Sequence, residues 1–137
     1  FVAEFIGSPP MNFLSFHGRL DSGATAAILD RQVLGMPALR EPFDGDMVYG
    51  VRPEHVRLDD SAGYRGRILA SEYLGTTRVL TLESPNGELK ARVPSHQPAA
   101  IGDVVGLRFN GDTVTVFDAQ SGRALRSVLN EGVLSHG

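Results

Sequence analysis

Arg78-Val79-Leu80-Thr81-Leu82-Glu83-Ser84-Pro85-Asn86-Gly87-Glu88-Leu89-Lys90-Ala91-Arg92-Val93 is the stretch that decides the fold class. Leu80 and Leu82 alternate with other residues, and so do Leu89, Ala91 and Val93. Side chains of a strand point to opposite faces in turn, so this spacing predicts strands over Arg78–Ser84 and Leu89–Val93. Between them, Ser84-Pro85-Asn86-Gly87 is turn chemistry, and the two strands read as a hairpin.

The same pattern extends in both directions. Phe13–Leu20 and Ala24–Leu29 read as strands joined across Asp21-Ser22-Gly23. Met47–Val51 reads as a strand stopped by Pro53, followed by the short run Val56-Arg57-Leu58. Tyr64–Leu74 precedes the opening stretch, and Val104–Phe109 with Thr113–Phe117 follows it as a final hairpin over Asn110-Gly111-Asp112. Strands this short, with Gly or Pro roughly every ten positions, predict a barrel or sandwich rather than a helical fold. Only Phe1-Val2-Ala3-Glu4-Phe5-Ile6 has helix-like spacing, with Gly7 placed to end it and Ser8-Pro9-Pro10 turning the chain away. Six residues do not hold a helix alone. The chain opens with Phe inside this apolar stretch, which reads as the end of a helix belonging to a longer protein.

A weak repeat runs through the sequence. Phe16-His17-Gly18-Arg19-Leu20 recurs as Tyr64-Arg65-Gly66-Arg67-Ile68, and Gly45-Asp46-Met47-Val48 with Gly50-Val51-Arg52 recurs as Gly102-Asp103-Val104-Val105-Gly106-Leu107-Arg108. Chance pairs in a Gly-rich β protein are one explanation. The other is two related small barrels, each using Gly-Asp as the turn before an interior strand and sharing one core.

Composition narrows the chemistry. Thirteen basic against sixteen acidic residues give net charge −3, which argues against a nucleic-acid surface even though Phe16, Arg19, Tyr64, Arg65 and Arg67 could line a face. With no cysteine, disulfides, thiolate metal sites and cysteine nucleophiles are excluded. His17, His55, His96 and His136 are too scattered for a metal motif, and Asp44-Gly45-Asp46 and Asp59-Asp60 read as solvated turns rather than a calcium loop. There is no Gly-x-Ser-x-Gly elbow and no Gly-x-x-x-x-Gly-Lys-Ser/Thr phosphate cradle. Arg52-Pro53-Glu54 is open to two readings. It is a solvated rim past a strand end, or a domain joint where Arg grips carboxylates.

The order of motifs carries more than any one of them. Phe1-Val2-Ala3-Glu4-Phe5-Ile6-Gly7-Ser8-Pro9-Pro10-Met11-Asn12-Phe13-Leu14 followed by Gly50-Val51-Arg52-Pro53-Glu54-His55-Val56 resembles the C-terminal regulatory half of sugar-importer ABC ATPase subunits, the maltose and glycerol-phosphate type. Glu72-Tyr73-Leu74-Gly75-Thr76-Thr77, Gly102-Asp103-Val104-Val105-Gly106-Leu107 and Phe117-Asp118 with Gly122-Arg123-Ala124-Leu125 are similar to its later segments. The resemblance implies an all-β fold of two intertwined OB-like barrels (a TOBE domain) after a short helix remnant. It divides the chain into a junction over residues 1–12 and barrel halves over 13–62 and 63–137. It also implies a non-catalytic regulatory and dimerisation role, with ATP and Mg held upstream and no cofactor here. The implied partners are the chain's own ATPase domain, a second copy, permease subunits indirectly and a regulatory protein. Its implied place is the cytoplasmic face of the plasma membrane. By position, Gly7, Ser8, Pro9, Met11 and Asn12 form a hinge, and Arg52, Pro53 and Glu54 a structural joint. The alternative is an oxyanion-sensing barrel, for which Thr76-Thr77-Arg78 and Ser95-His96 are the candidates.

Overall fold

A computed structural model describes residues 10–129. The expected helix over Phe1–Ile6 lies outside the described residues, as do Gly7, Ser8 and Pro9. The described chain is built of strands, as expected. They are β1 (Asn12–Leu20), β2 (Ala26–Leu29), β3 (Gln32–Gly35), β4 (Phe43–Val51), β5 (Val56–Leu58), β6 (Arg65–Leu74), β7 (Thr77–Ser84), β8 (Gly87–Pro94), β9 (Val104–Phe109) and β10 (Thr115–Asp118). Three-residue 3-10 turns at Pro53–His55 and Gly111–Thr113 complete the described elements.

The hairpin of the opening stretch forms as predicted. β7 and β8 pair from Thr77 opposite Pro94 to Ser84 opposite Gly87, leaving Pro85 and Asn86 as the two-residue turn. Gly87 sits at φ 130°, a conformation L side chains rarely adopt. Leu80, Leu82, Leu89 and Ala91 are buried. Each of the three leucines contributes about 2 kcal/mol by leaving water. This hairpin forms one side of a five-stranded sheet in the order β5-β9-β6-β7-β8.

Two other expected pairings do not form. Asp21-Ser22-Gly23 turns the chain but does not close a hairpin, because the Gly23 amide bonds to the Leu39 carbonyl 2.7 Å away. β2 instead pairs with β3, a strand the sequence pattern did not reveal, around Asp30 and Arg31. Asn110-Gly111-Asp112 likewise connects β9 to β10 without pairing them as a hairpin. β9 pairs with β5 and β6, while β10 pairs with β4 in a three-stranded sheet of order β1-β4-β10. A Cβ added to Gly111 would meet the Gly35 backbone at 2.9 Å, so this turn is pressed against the end of β3 where the chain crosses between sheets.

The two repeat copies use the same strand pairing. β1 runs antiparallel to β4 and β6 antiparallel to β9, but Gly18 faces Gly45 whereas Gly66 faces Val105, three residues beyond Gly102. Nor does Gly-Asp play one role in both copies. Gly45 and Asp46 lie inside β4, while Gly102 and Asp103 precede β9. A single apolar cluster spans both sheets, from Leu14, Met47 and Val51 to Ile68, Leu82 and Leu107. At its centre the Phe109 ring is met edge-on by Tyr49 at 5.7 Å and Tyr64 at 5.5 Å.

Candidate functional site at the joint between the sheets

Of the residues expected at a hinge, Met11 and Asn12 are described, and they lie at the end of the β1–β4 ladder that leads into Arg52, Pro53 and Glu54. Asn12 opens β1 and lies opposite Val51, the last residue of β4 and the neighbour of Arg52. Met11 lies across Gly50, where an added Cβ would meet the Met11 sulfur at 2.7 Å, the Phe117 ring at 2.8 Å and the Thr115 carbonyl at 3.0 Å. Gly50 therefore leaves the room that lets Met11 lie against the sheet.

Asn12 is 7% exposed and reaches out of its own sheet. Its Nδ2 donates to the Lys90 carbonyl at 2.7 Å, and its Oδ1 accepts from the Lys90 amide at 2.8 Å. One side chain thus reproduces the reciprocal pair of bonds that a neighbouring strand makes to β8. Four residues from Lys90, Asn86 does the converse. Its Nδ2 donates to the Ser15 carbonyl at 2.9 Å, and its own carbonyl accepts from the Ser15 amide at 3.2 Å. Tyr64, 1% exposed, donates to Asn86 Oδ1 at 2.8 Å and holds the turn in place. Burial pushes the Tyr64 phenol above its ordinary pKa. None of Lys90, Asn86 or Tyr64 stands out in the sequence as part of a joint. Asn86 does stand out as a turn residue, but its partner is 71 positions away.

Pro53 is buried and opens a 3-10 turn, with Arg52 held extended before it at φ −78°, ψ 149°. The turn closes by a bond from the His55 amide to the Arg52 carbonyl at 3.0 Å, and the His55 carbonyl accepts from the Asn110 amide at 3.0 Å. Arg52 is half-buried and Glu54 exposed. Their side chains make no hydrogen bond or ion pair with each other. The two backbone bonds of His55 fix the turn against the rest of the fold.

The anion candidates differ from this. Arg78 is 5% exposed and its nitrogens are spent on the Gln97 carbonyl at 2.8 Å, the Ala99 carbonyl at 2.9 Å and Ser71 Oγ at 3.2 Å. The Ser95 amide bonds to the Thr76 carbonyl at 2.9 Å. This segment fastens the 95–100 loop to β7 and presents no free guanidinium. Among the described residues no three His, Asp or Glu side chains are grouped to hold a metal ion. No helix among them is long and apolar enough to cross a membrane.

The family model of the TOBE domain matches residues 49–117, and that of the MalK OB fold domain matches residues 7–56. The chain belongs to the TOBE-domain family. The two matches share residues 49–56, so the last part of β4, Arg52-Pro53-Glu54 and the start of β5 lie where the MalK-type OB fold runs into the TOBE domain. The sn-glycerol-3-phosphate import ATP-binding protein UgpC of Ruegeria pomeroyi is 31% identical over 91% of the chain and 34% of its own length. For the multiple sugar-binding transport ATP-binding protein MsmK of Streptococcus mutans the values are 33%, 92% and 36%. For the trehalose import ATP-binding protein SugC of Mycobacterium tuberculosis they are 34%, 91% and 40%. The chain therefore spans little more than a third of the curated relatives it matches. Among solved structures, the cytoplasmic molybdate-binding protein ModG superposes with a TM-score of 0.54 at 13% identity, over 77% of this chain and 94% of that one. This likeness is one of fold.

Proposed function

We propose that the chain is the regulatory and dimerisation domain of the ATP-binding subunit of an importer for carbohydrates or related solutes. What carries the reading is the meeting of Met11 and Asn12 with Arg52, Pro53 and Glu54 at one end of the β1–β4 ladder, in a TOBE-family chain whose relatives are named as import ATP-binding proteins. In this reading residues 1–12 are the junction from an ATPase domain, with Gly7, Ser8 and Pro9 its hinge, and residues 13–62 and 63–137 are the two OB-like halves. The joint does no chemistry. ATP and Mg are handled by the ATPase domain, and the paired subunits sit at the cytoplasmic face of the plasma membrane through the permease. A second copy is the partner proposed for the surface around Arg52 and Glu54, where an arginine and a carboxylate two residues apart can exchange ion pairs about a twofold axis.

Light scattering across a concentration series tests this, on the chain and on a form lacking residues 1–7. The expected result is a mass that rises from one chain toward two in both forms, with the rise abolished by Arg52→Glu. Single-chain mass at every concentration in both forms would sink the dimerisation reading.

A further inference from the structure

A polar cleft of about 400 Å³ opens between the β2–β3 hairpin, the 59–64 loop and β9. Its wall contains Arg31, Gln32, Ser61 and Arg108, with Val33 and Phe109 as apolar surface, and no carboxylate lines it. We infer that this cleft binds a small organic anion, its carboxylate or phosphate-ester head held by Arg31, Gln32 and Arg108 and its body against Val33 and Phe109.

Three independent features converge there. Arg108 is held in a fixed orientation: Nε donates to Asp59 Oδ2, Nη2 donates to Ser61 Oγ at 3.2 Å, and Asp59 Oδ1 accepts from the Ser61 amide at 2.9 Å and its hydroxyl at 2.7 Å. Nη1 is left with no partner among the described residues. Gly106 locks this loop from behind, since an added Cβ would clash with the Asp59 carbonyl and meet that of Ala62 at 2.8 Å.

Arg31 is the second feature. It stands at φ 65° beside Asp30 at φ 52°, two successive non-glycine residues in the left-handed region. A turn of this kind favours Asn-Gly, and an arginine there is strained by about 1–2 kcal/mol. The two-residue turn between β2 and β3 imposes this backbone, and strained residues of this kind cluster at ligand clamps. The Arg31 guanidinium makes no hydrogen bond or ion pair among the described residues. Gln32 is the third feature. It is half-buried, its amide also has no partner among them, and it occupies the space a Gly63 side chain would take.

Asp59 balances Arg108, and Asp30 stands beside Arg31 within electrostatic reach of the Tyr64 phenol in the cleft wall, so what the wall offers an anion is directed donors rather than excess charge. A guanidinium fork, an amide and a preset Nη1 are the donors an oxyanion head requires. The size matches an organic ligand rather than a bare ion, since small-molecule sites start near 300 Å³. The inference is independent of the proposed dimer, because Arg31, Gln32 and Arg108 share no hydrogen bond or ion pair with Arg52 or Glu54 among the described residues.

Calorimetric titration with a hexose 6-phosphate, citrate, inorganic phosphate and the neutral hexose tests it, on the chain and two variants. Arg31→Gly relieves the turn and is expected to raise Tm while weakening binding by about tenfold or more. Gln32→Glu leaves the turn alone, puts a carboxylate in the wall and is expected to weaken it at least as much. Binding of the hexose phosphate or of citrate, stronger than that of inorganic phosphate and lost in both variants, supports the site and says which head group it takes. Absence of heat with every anion at millimolar concentration overturns it. So does undiminished binding in the variants, or equal binding of the neutral hexose.

Discussion

Asn12 carries a donor and an acceptor on one short planar group, which is what the amide and carbonyl of Lys90 together require. Serine or threonine could satisfy one of the two, and an aspartate would set a carboxylate against a carbonyl. Asn12→Ala removes both bonds and leaves the amide and carbonyl of Lys90 without their partner. The expected cost is about 1–3 kcal/mol, made of two lost bonds. Asn12→Asp should cost no less at neutral pH, although it keeps the shape. Urea unfolding checks both, and a loss below about 0.5 kcal/mol in the alanine variant would mean that water takes over the amide's role. Family resemblance marked this position as part of a hinge. The bond to Lys90 spans 78 positions, and nothing local in the sequence announces it.

Strands whose partners are near in sequence were legible, and those with distant partners were not. β7 and β8 could be read because alternation and turn chemistry lie within one continuous stretch. β3 was missed because Asp30-Arg31 lacks the glycine or asparagine that usually marks a two-residue hairpin turn, and four residues are too few for a period to show. The terminal hairpin was read wrongly for the opposite reason. Asn110-Gly111-Asp112 has turn chemistry, and Asn110 does cap the turn by accepting from the Asp112 amide at 3.3 Å, but where the next strand goes depends on Gly111 lying against Gly35. The joint follows the same rule: its residues were marked by family resemblance, while their partners Lys90 and Asn86 were not. At this scale the β7–β8 turn is predicted to be a docking element. Asn86→Ala should leave the hairpin intact, because Gly87 and the cross-strand pairs remain. It removes the bond to the Ser15 carbonyl and the acceptor for Tyr64, at about 1–2 kcal/mol. Hydrogen exchange should then speed up at the Ser15 amide but not within β7. Faster exchange throughout β7 and β8 would show instead that Asn86 holds the hairpin itself together.

Across the whole molecule, the two sheets are held around a pair of neutral phenols. Tyr49 comes from β4 and Tyr64 from the segment before β6, and both meet Phe109 of β9. Tyr49 is fully buried and donates to the Gly35 carbonyl at 2.7 Å, which also ties β4 to the β2–β3 hairpin. Burial, then proximity to Tyr64, pushes its pKa far above 10, and burial is the leading cause for Tyr64 as well. The sign follows from proton counting. In the unfolded chain both phenols ionise near pH 10, while in the folded chain they keep their protons to higher pH. Between those limits the unfolded state binds fewer protons, so stability falls as pH rises. The stabilisation is present in full below pH 10 and is lost as pH climbs toward the folded values, by about 1.4 kcal/mol per pH unit for Tyr49, with Tyr64 acting in the same direction. Urea midpoints measured from pH 9 to 11.5 should therefore drop steeply above pH 10. Tyr49→Phe should be less stable at pH 8, having lost the bond to Gly35, yet its decline above pH 10 should be clearly shallower. An unchanged slope in that variant would mean that the Tyr49 phenol reaches water before the chain unfolds, and that the centre of the molecule opens locally rather than all at once.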